Sequence, residues 1–215
     1  MTSPGGEKKP SIEASKNGPY IVNGLDTLHN SRGETIPTKP VMALCRCGGS
    51  AKKPFCDGTH ARIGFSGEKL TDESKNKRVD YQGANITIHD NRGICAHAGH
   101  CTDQISSVFS LEAEPWINPD GATIEAIIET IKKCPSGALS YSLGGVEHEE
   151  RGRPPMITVS RDGPYEVVGG PELRDEEGRR LEQGEHYTLC RCGGSKNKPR
   201  CDGTHWDINF QDAKN

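Results

Sequence analysis

Aromatic residues are scarce in this sequence, at 5% of 215 positions, and apolar residues of all kinds reach only 32%. So thin an apolar supply excludes one deep hydrophobic core, and small, thin-cored domains ordinarily need a metal or disulfides to hold them. No apolar run approaches the roughly 18 residues of a membrane-spanning helix, so no membrane role is expected. Basic residues are not in excess: the formal net charge is −3, and the footprint of a nucleic-acid binder is missing. The opening segment, MTSPGGEKKPSIEASKNG, has no apolar stretch of the secretory kind. With Glu7 and Glu13 and no arginine before Arg32, it does not read as a mitochondrial address either, and a reducing cytoplasm is expected. A glycine-rich dinucleotide fingerprint, a flavin pattern and a recognisable nucleophile–base motif are absent too. No catalytic residues are assigned, and the chain is not expected to be an enzyme by itself.

What the sequence does have is nine cysteines, 26 glycines and 14 prolines. In a reducing compartment, cysteines bind metal more often than they pair, and the odd count agrees. The chain is also duplicated. CRCGGSAKKPFCDGTH at 45–60 returns as CRCGGSKNKPRCDGTH at 190–205, an offset of 145 that holds without a gap from about 10–66 to about 155–211. Pro10, Ile12, Ser15, Gly18, Pro19, Tyr20, Val22 and Gly24 all recur at that offset, and Phe65 matches Phe210. Short apolar stretches such as PYIVNG and VMALC between Gly/Pro/Asn turns make each copy a small β module.

The segment between the copies is built differently. ANITIHD at 84–90 alternates like a strand, and ALSYSL at 138–143 reads as a closing one. Ile124, Ile127, Ile128 and Ile131 form an amphipathic helical stripe in TIEAIIETIKKC, 123–134. Thr123 suits the N-cap, Lys132 and Lys133 the C-terminal end of the dipole, and Pro135 ends the helix. The expected layout is a tail at 1–9, a β module at 10–67, a linker at 68–79, an α+β insert at 80–146, a linker at 147–154 and a second β module at 155–215. The fold class is α+β.

Each copy spaces its soft donors as C-x-C-x8-C-x3-H: Cys45, Cys47, Cys56 and His60, then Cys190, Cys192, Cys201 and His205. Glycines after C-x-C let the backbone wrap closely, Pro54 or Pro199 stiffens the return, and Asp57 or Asp202 is placed to cap a helical turn. That turn brings the histidine back to the third cysteine. Three thiolates and an imidazole suit tetrahedral zinc and a [2Fe–2S] cluster equally, and spacing alone does not separate them. Both segments resemble the CDGSH iron–sulfur domain of the mitoNEET-type family at every fixed position, including Ser50 and Ser195, with Thr59 and Thr204 as a permitted variant. The resemblance implies a redox-active [2Fe–2S] cluster in each copy, with a solvent-facing, proton-sensitive histidine, and it makes Ser50, Asp57, Ser195 and Asp202 part of the cofactor-binding loops. It also implies a two-fold assembly, which one duplicated chain is expected to supply within itself as an intramolecular pseudo-dimer. Some relatives bring a lysine to the histidine; Tyr20 and Tyr165 stand at the matching place here.

The insert holds Cys95, Cys101 and Cys134, the last followed by Pro135. A bacterial ferredoxin presents three local cysteines and one remote Cys-Pro. Here the second local position is Ala98. Residues 80–143 resemble the divergent single-cluster ferredoxin domain in ICAHAGHC, PWINPD and CPSGAL, and in spacing they resemble ferredoxins that hold [3Fe–4S]. Three outcomes stand open: [3Fe–4S], a [4Fe–4S] completed by His97 or His100, or one completed by water. Buried structural cysteines without a cluster are the plain alternative. Trp116 and Phe109 are expected in the core, and Asp103, Glu112, Glu114, Asp120, Glu125 and Glu129 give this region an acidic excess suited to a basic reductase. Arg46 and Arg191, inside each C-R-C, either temper cluster charge or point to water.

The expected function is electron transfer by an iron–sulfur protein with two [2Fe–2S] centres and one ferredoxin-type centre. Its partner would be a redox protein such as a ferredoxin reductase. The alternative is a cluster carrier or iron and redox sensor that serves apo-proteins. A purely structural zinc protein is the third reading.

Overall fold

A computed structural model describes residues 9–72, 76–148, 152–213 and 215. The expected tail at 1–9, except Lys9, and the middle of each linker lie outside the described residues. The first copy folds into β1 (Ser11–Ala14), β2 (Tyr20–Asn23), β3 (Leu28–His29), β4 (Val41–Leu44) and one helical turn, α1 (Thr59–Arg62). The insert forms β5 (Arg78–Gln82), β6 (Ile86–Asn91), α2 (His100–Gln104), α3 (Ile124–Ile131), β7 (Leu139–Leu143) and β8 (Val146–His148). The second copy gives β9 (Met156–Val159), β10 (Tyr165–Val168), β11 (Glu172–Arg174), β12 (Tyr187–Leu189) and α4 (Thr204–Asp207).

The two copies do not fold as separate beads. One sheet runs β11-β1-β2-β4 and the other β12-β10-β9-β3, so each borrows a strand from the opposite copy. The borrowed strands pair in parallel, Ile12 with Leu173 and Leu28 with Ile157, while the rest of each sheet is antiparallel. The cause lies in the period-two pattern. Ile12, Ala14, Tyr20 and Val22 all turn to one buried face, as do Ile157, Val159, Tyr165 and Val167. Neither face is large enough to bury itself. Facing each other, they form one core that also takes Leu25, Leu28, Leu44, Leu173, Tyr187 and Leu189. At about 1.5–3 kcal/mol per fully buried large apolar side chain, that shared core is what the 32% apolar content stabilises.

The insert has its own core. Its sheet is a meander, β5-β6-β7-β8, and α3 lays Ile127 and Ile131 against Ile86, Ile88 and Leu139 beside Val108, Phe109 and Ile117. Thr123 caps α3 as the sequence indicates, its hydroxyl accepting from Ala126 N–H at 3.3 Å. The helix ends earlier than expected, at Ile131. Lys132 becomes its C-cap, and tightened turns (Lys133 N–H to Thr130 O, Cys134 N–H to Ile131 O at 2.9 Å) carry Cys134 off the helix axis. Both linkers are shorter than the sequence suggests: β5 begins at Arg78, and β8 takes 147–148 into an edge strand because Gly144-Gly145 closes a hairpin there. Phe109 is buried as expected, and Trp116 packs on it at 5.9 Å from the half-buried rim.

Candidate metal centres

In the first copy, the chain leaves β4 into Cys45 and returns on itself. Cys45 N–H donates to Pro54 O at 2.7 Å, and Cys56 N–H donates to Ala43 O at 2.8 Å. Ser50 and Asp57 lock this loop, and the Ser50 backbone N–H donates to the Cys45 thiol. The Ser50 hydroxyl donates to Phe55 O (2.7 Å) and accepts from Lys52 N–H (3.0 Å). Asp57 accepts from Ala51 N–H (2.9 Å) and Thr59 N–H (3.0 Å). Its hydrogen bonds with Thr59 and Ala51 hold its carboxyl well below the usual carboxylate range. The helical turn itself begins on left-handed Gly58, one residue later than the Asp57 cap expected. Ser195 and Asp202 repeat the arrangement: Ser195 donates to Arg200 O at 2.8 Å, and Asp202 accepts from Lys196 N–H at 2.8 Å and Thr204 N–H at 3.1 Å. These four residues shape the loops that carry the cysteines.

The four donors of each copy fall into two pairs. Cys45 Sγ and Cys47 Sγ stand 3.9 Å apart, and Cys56 Sγ and His60 Nδ1 stand 3.3 Å apart. The second copy gives 3.7 Å for Cys190–Cys192 and 3.4 Å for Cys201–His205. Among the described residues, no three His, Cys, Asp or Glu side chains converge on one point suited to a single ion. Two pairs of soft donors in each copy can serve an iron–sulfur group, two donors to each iron. Burial pushes the Cys45 thiol up, while Cys192 is lowered to about 7 by its hydrogen bond with Cys190, whose own thiol is held up by the same bond.

The two loops meet across the pseudo-two-fold axis. Cys47 and Cys192 form an isolated antiparallel bridge, and a side chain at Gly48 or Gly193 would strike the opposite cysteine's carbonyl oxygen at 2.5 Å. Both glycines have positive φ, 76° and 82°, so no other residue serves this contact. Tyr20 and Tyr165 do not stand in for a lysine at the histidines. Each crosses the axis: Tyr20 donates to Cys190 O (2.9 Å) and Pro199 O (2.8 Å), and Tyr165 to Cys45 O (2.9 Å) and Pro54 O (3.0 Å). Arg46 and Arg191 do not point to water; they are 2% and 1% exposed. Arg46 donates to Ser15 O, Gly67 O and Glu176, and Arg191 to Gly163 O, Ser160 O and Asp212. Arg191 ties its C-R-C segment to its own module's first turn and C-terminal segment, whereas Arg46 does the same in the first module and also reaches across to Glu176 of the second.

The central site gathers its cysteines from three places. Cys95 follows a tight turn at Arg92–Ile94, Cys101 sits in the first turn of α2, and Cys134 lies just past α3. All three line one cavity of about 220 Å³, with Arg92, His97, His100, Leu111 and Trp116 around it. Burial raises the Cys95 and Cys101 thiols, and their proximity to Cys134 raises them further. Cys95 Sγ accepts from His97 N–H at 3.4 Å and from Arg92 at 3.6 Å, and Arg92 lies 3.9 Å over the Trp116 ring. Three thiols bordering one cavity, with N–H donors on sulfur, fit an iron–sulfur group. His97 does not turn its ring into that cavity alone. Its backbone is left-handed at φ 53°, and its ring lies against Gly203 of the second module, where a Cβ would meet it at 2.9–3.1 Å. His100 is exposed at the start of α2, directly before Cys101.

The solvent-facing histidine implied by the resemblance holds for one copy only. His60 is half-buried, but His205 is 4% exposed. The loop 95–101 covers it, held by Trp206 Nε1 donating to His97 O at 3.1 Å, while the Trp206 ring packs on His205 at 5.0 Å. Asn197 Nδ2 donates to Gly93 O at 2.7 Å on the other side of the same loop. Trp206 and Asn197 were not singled out by sequence. The signal available was that Trp206 replaces Ala61, and Asn197 replaces Lys52, at the repeat offset. The six acids between residues 95 and 134 are all exposed.

Residues 17–61 and 162–206 match the family model described as iron-binding zinc finger CDGSH type, and residues 81–144 match the one described as divergent 4Fe-4S mono-cluster. The uncharacterized protein YjdI of Escherichia coli (strain K12) is 39% identical over 61 residues, which is 28% of this chain and 80% of YjdI. The YjdI of Escherichia coli O157:H7 matches to the same extent. No solved structure matches the chain.

Proposed function

We propose an electron-transfer role for this chain, which belongs to the CDGSH iron-binding family and carries a divergent 4Fe-4S mono-cluster domain between its two CDGSH modules. The chain is an iron–sulfur protein, and the proposal concerns which centres it holds and what they do. The observation that carries it is the pairing of donors, 3.9 and 3.3 Å in one copy and 3.7 and 3.4 Å in the other, which supports a [2Fe–2S] group in each. Cys45 with Cys47, and Cys56 with His60, would each hold one iron; Cys190 with Cys192, and Cys201 with His205, would do the same. Cys95, Cys101 and Cys134 would hold a ferredoxin-type centre, [3Fe–4S] on three thiolates, or [4Fe–4S] where His97, His100 or water serves the fourth iron. When bound, such groups supply one-electron exchange.

The chain's own residues set the order of the sites. The Cys95 loop rests on the second module, with Trp206 Nε1–H donating to His97 O and Asn197 Nδ2–H to Gly93 O, and the Cys47–Cys192 bridge joins the second site to the first. This supports a row of three centres, which we propose serve as a redox carrier needing a partner reductase or oxidase. The exposed acids Asp103, Glu112, Glu114, Asp120, Glu125 and Glu129 favour a basic redox partner such as a ferredoxin reductase, with association that slows as salt rises. No helix among the described residues is long and apolar enough to cross a membrane, and the cytoplasm is the proposed compartment.

Anaerobic purification followed by iron, labile-sulfide and EPR analysis tests the proposal. About seven or eight irons per chain are expected, two diiron centres and one of three or four. A folded, colourless, zinc-loaded protein without labile sulfide overturns it. A second reading, a carrier that hands [2Fe–2S] to apo-proteins, is favoured by the half-buried setting of Cys56 and His60. Mixing with an apo-ferredoxin separates the two: the carrier reading requires the acceptor to gain iron and sulfide in step with their loss here.

A further inference from the structure

The duplication supplies an internal comparison, because the same residue types meet different surroundings 145 positions apart. Gly58 is exposed, and a Cβ there would meet nothing within 4 Å. Its counterpart Gly203 is buried under His97. Cys56 is half-buried, whereas Cys201 is 2% exposed. His60 and His205 differ in the same direction, as do Cys47 and Cys192. On the second copy Gly203, Asn197 and Trp206 all contact the insert. The first linker adds to the cover, with Leu70 and Thr71 N–H both donating to Lys196 O, at 2.8 and 3.2 Å, and Thr71 bonding to Asn197 at 3.1 Å.

We infer that the two CDGSH sites are unequal by construction: the insert, docked through Trp206 and Asn197, seals the His205 site inside the molecule and leaves the His60 site as the one that solvent and partner proteins reach. The inference rests on the reading that both copies hold iron–sulfur groups. Trp206 and Asn197 are positioning residues, because each acts by holding the loop 93–101 over ligands it does not replace. Trp206 is well suited to this, since its ring lies over His205 while its N–H fixes the His97 carbonyl. The first copy has Ala61 and Lys52 at these positions. With one mouth open and one closed, a duplicated chain distinguishes an external centre from an internal one although its ligand sets are identical.

The test is iron release from the holoprotein to excess bathophenanthroline disulfonate, followed by visible absorbance and EPR of the [2Fe–2S] signals. The [2Fe–2S] EPR signals, read apart from the iron of the central centre, should decay in two phases of equal amplitude, the slow one at least about tenfold slower. His60→Cys should alter the fast phase alone. The W206A/N197K variant, which gives the second loop the residues found in the first, should bring the slow phase to within about threefold of the fast one. A single rate for both [2Fe–2S] signals in the wild type, or a slow phase that the double variant leaves unchanged, overturns the inference. Should that variant fail to accumulate folded, the wild-type phases and the His60→Cys response decide. A preparation lacking labile sulfide defeats the functional reading instead, and is distinguished before any release is measured.

Discussion

The Tyr20 hydroxyl donates to the carbonyl of Cys190 at 2.9 Å, across 170 positions of chain, and Tyr165 returns the contact to Cys45 at 2.9 Å. Their rings meet edge-on at 6.2 Å on the pseudo-two-fold axis. Burial raises both phenols well above their ordinary range, so they remain neutral donors. Each module therefore fixes the metal loop of the other.

Tyr20→Phe removes a buried donor from two carbonyls while leaving the ring in place. A loss of about 1–3 kcal/mol is expected, read as a lower thermal midpoint by roughly 2–4 °C per kcal/mol in a chain of this size. The perturbation should appear in the EPR line shape of the second module's centre, not the first. An effect confined to the module that contains residue 20 would contradict the crossed arrangement.

The two buried arginines predict unequal costs. Arg191 and its partner Asp212 are both almost fully buried, at 2.5 Å, whereas Glu176, the partner of Arg46, keeps an 18% exposed side chain. Removing one member of a buried pair strands the other charge, at about 3–5 kcal/mol. Asp212→Ala should lower the thermal midpoint clearly more than Glu176→Ala, since water reaches the Glu176 side and screens the loss. Equal midpoints for the two variants would mean that the Arg191 pair is not sealed as described.

Stripping the metal should unfold loops and spare sheets. The shared core of Ile12, Tyr20, Val22, Ile157, Val159 and Tyr165 is built without any ligand side chain. Far-UV circular dichroism of the apoprotein should stay close to that of the holoprotein. Amide hydrogen exchange should accelerate selectively over 45–60, 95–101 and 190–205, where the loops depend on their ligands for closure. Loss of exchange protection throughout β1, β2, β9 and β10 would instead make the core dependent on metal.

The ligands were legible in the sequence because they are local. C-x-C-x8-C-x3-H fixes its own geometry within sixteen residues, and the isoleucine stripe of α3 and the alternation of β6 are likewise set by the period of the backbone itself. Cys134 was recognisable by the proline that follows it, although the early end of α3 at Ile131 was not. What the sequence alone determined is therefore the duplication, the eleven candidate ligands and the three-part layout. Only the tertiary structure decided which strand joins which sheet, that Arg46 and Arg191 are buried ties, and that His205 is covered while His60 is not. The exchange of strands and the cover over His205 depend on surfaces more than 100 residues apart meeting in one arrangement. Trp206 in place of Ala61 is visible in the chain, but its meaning exists only where His97 lies beside it.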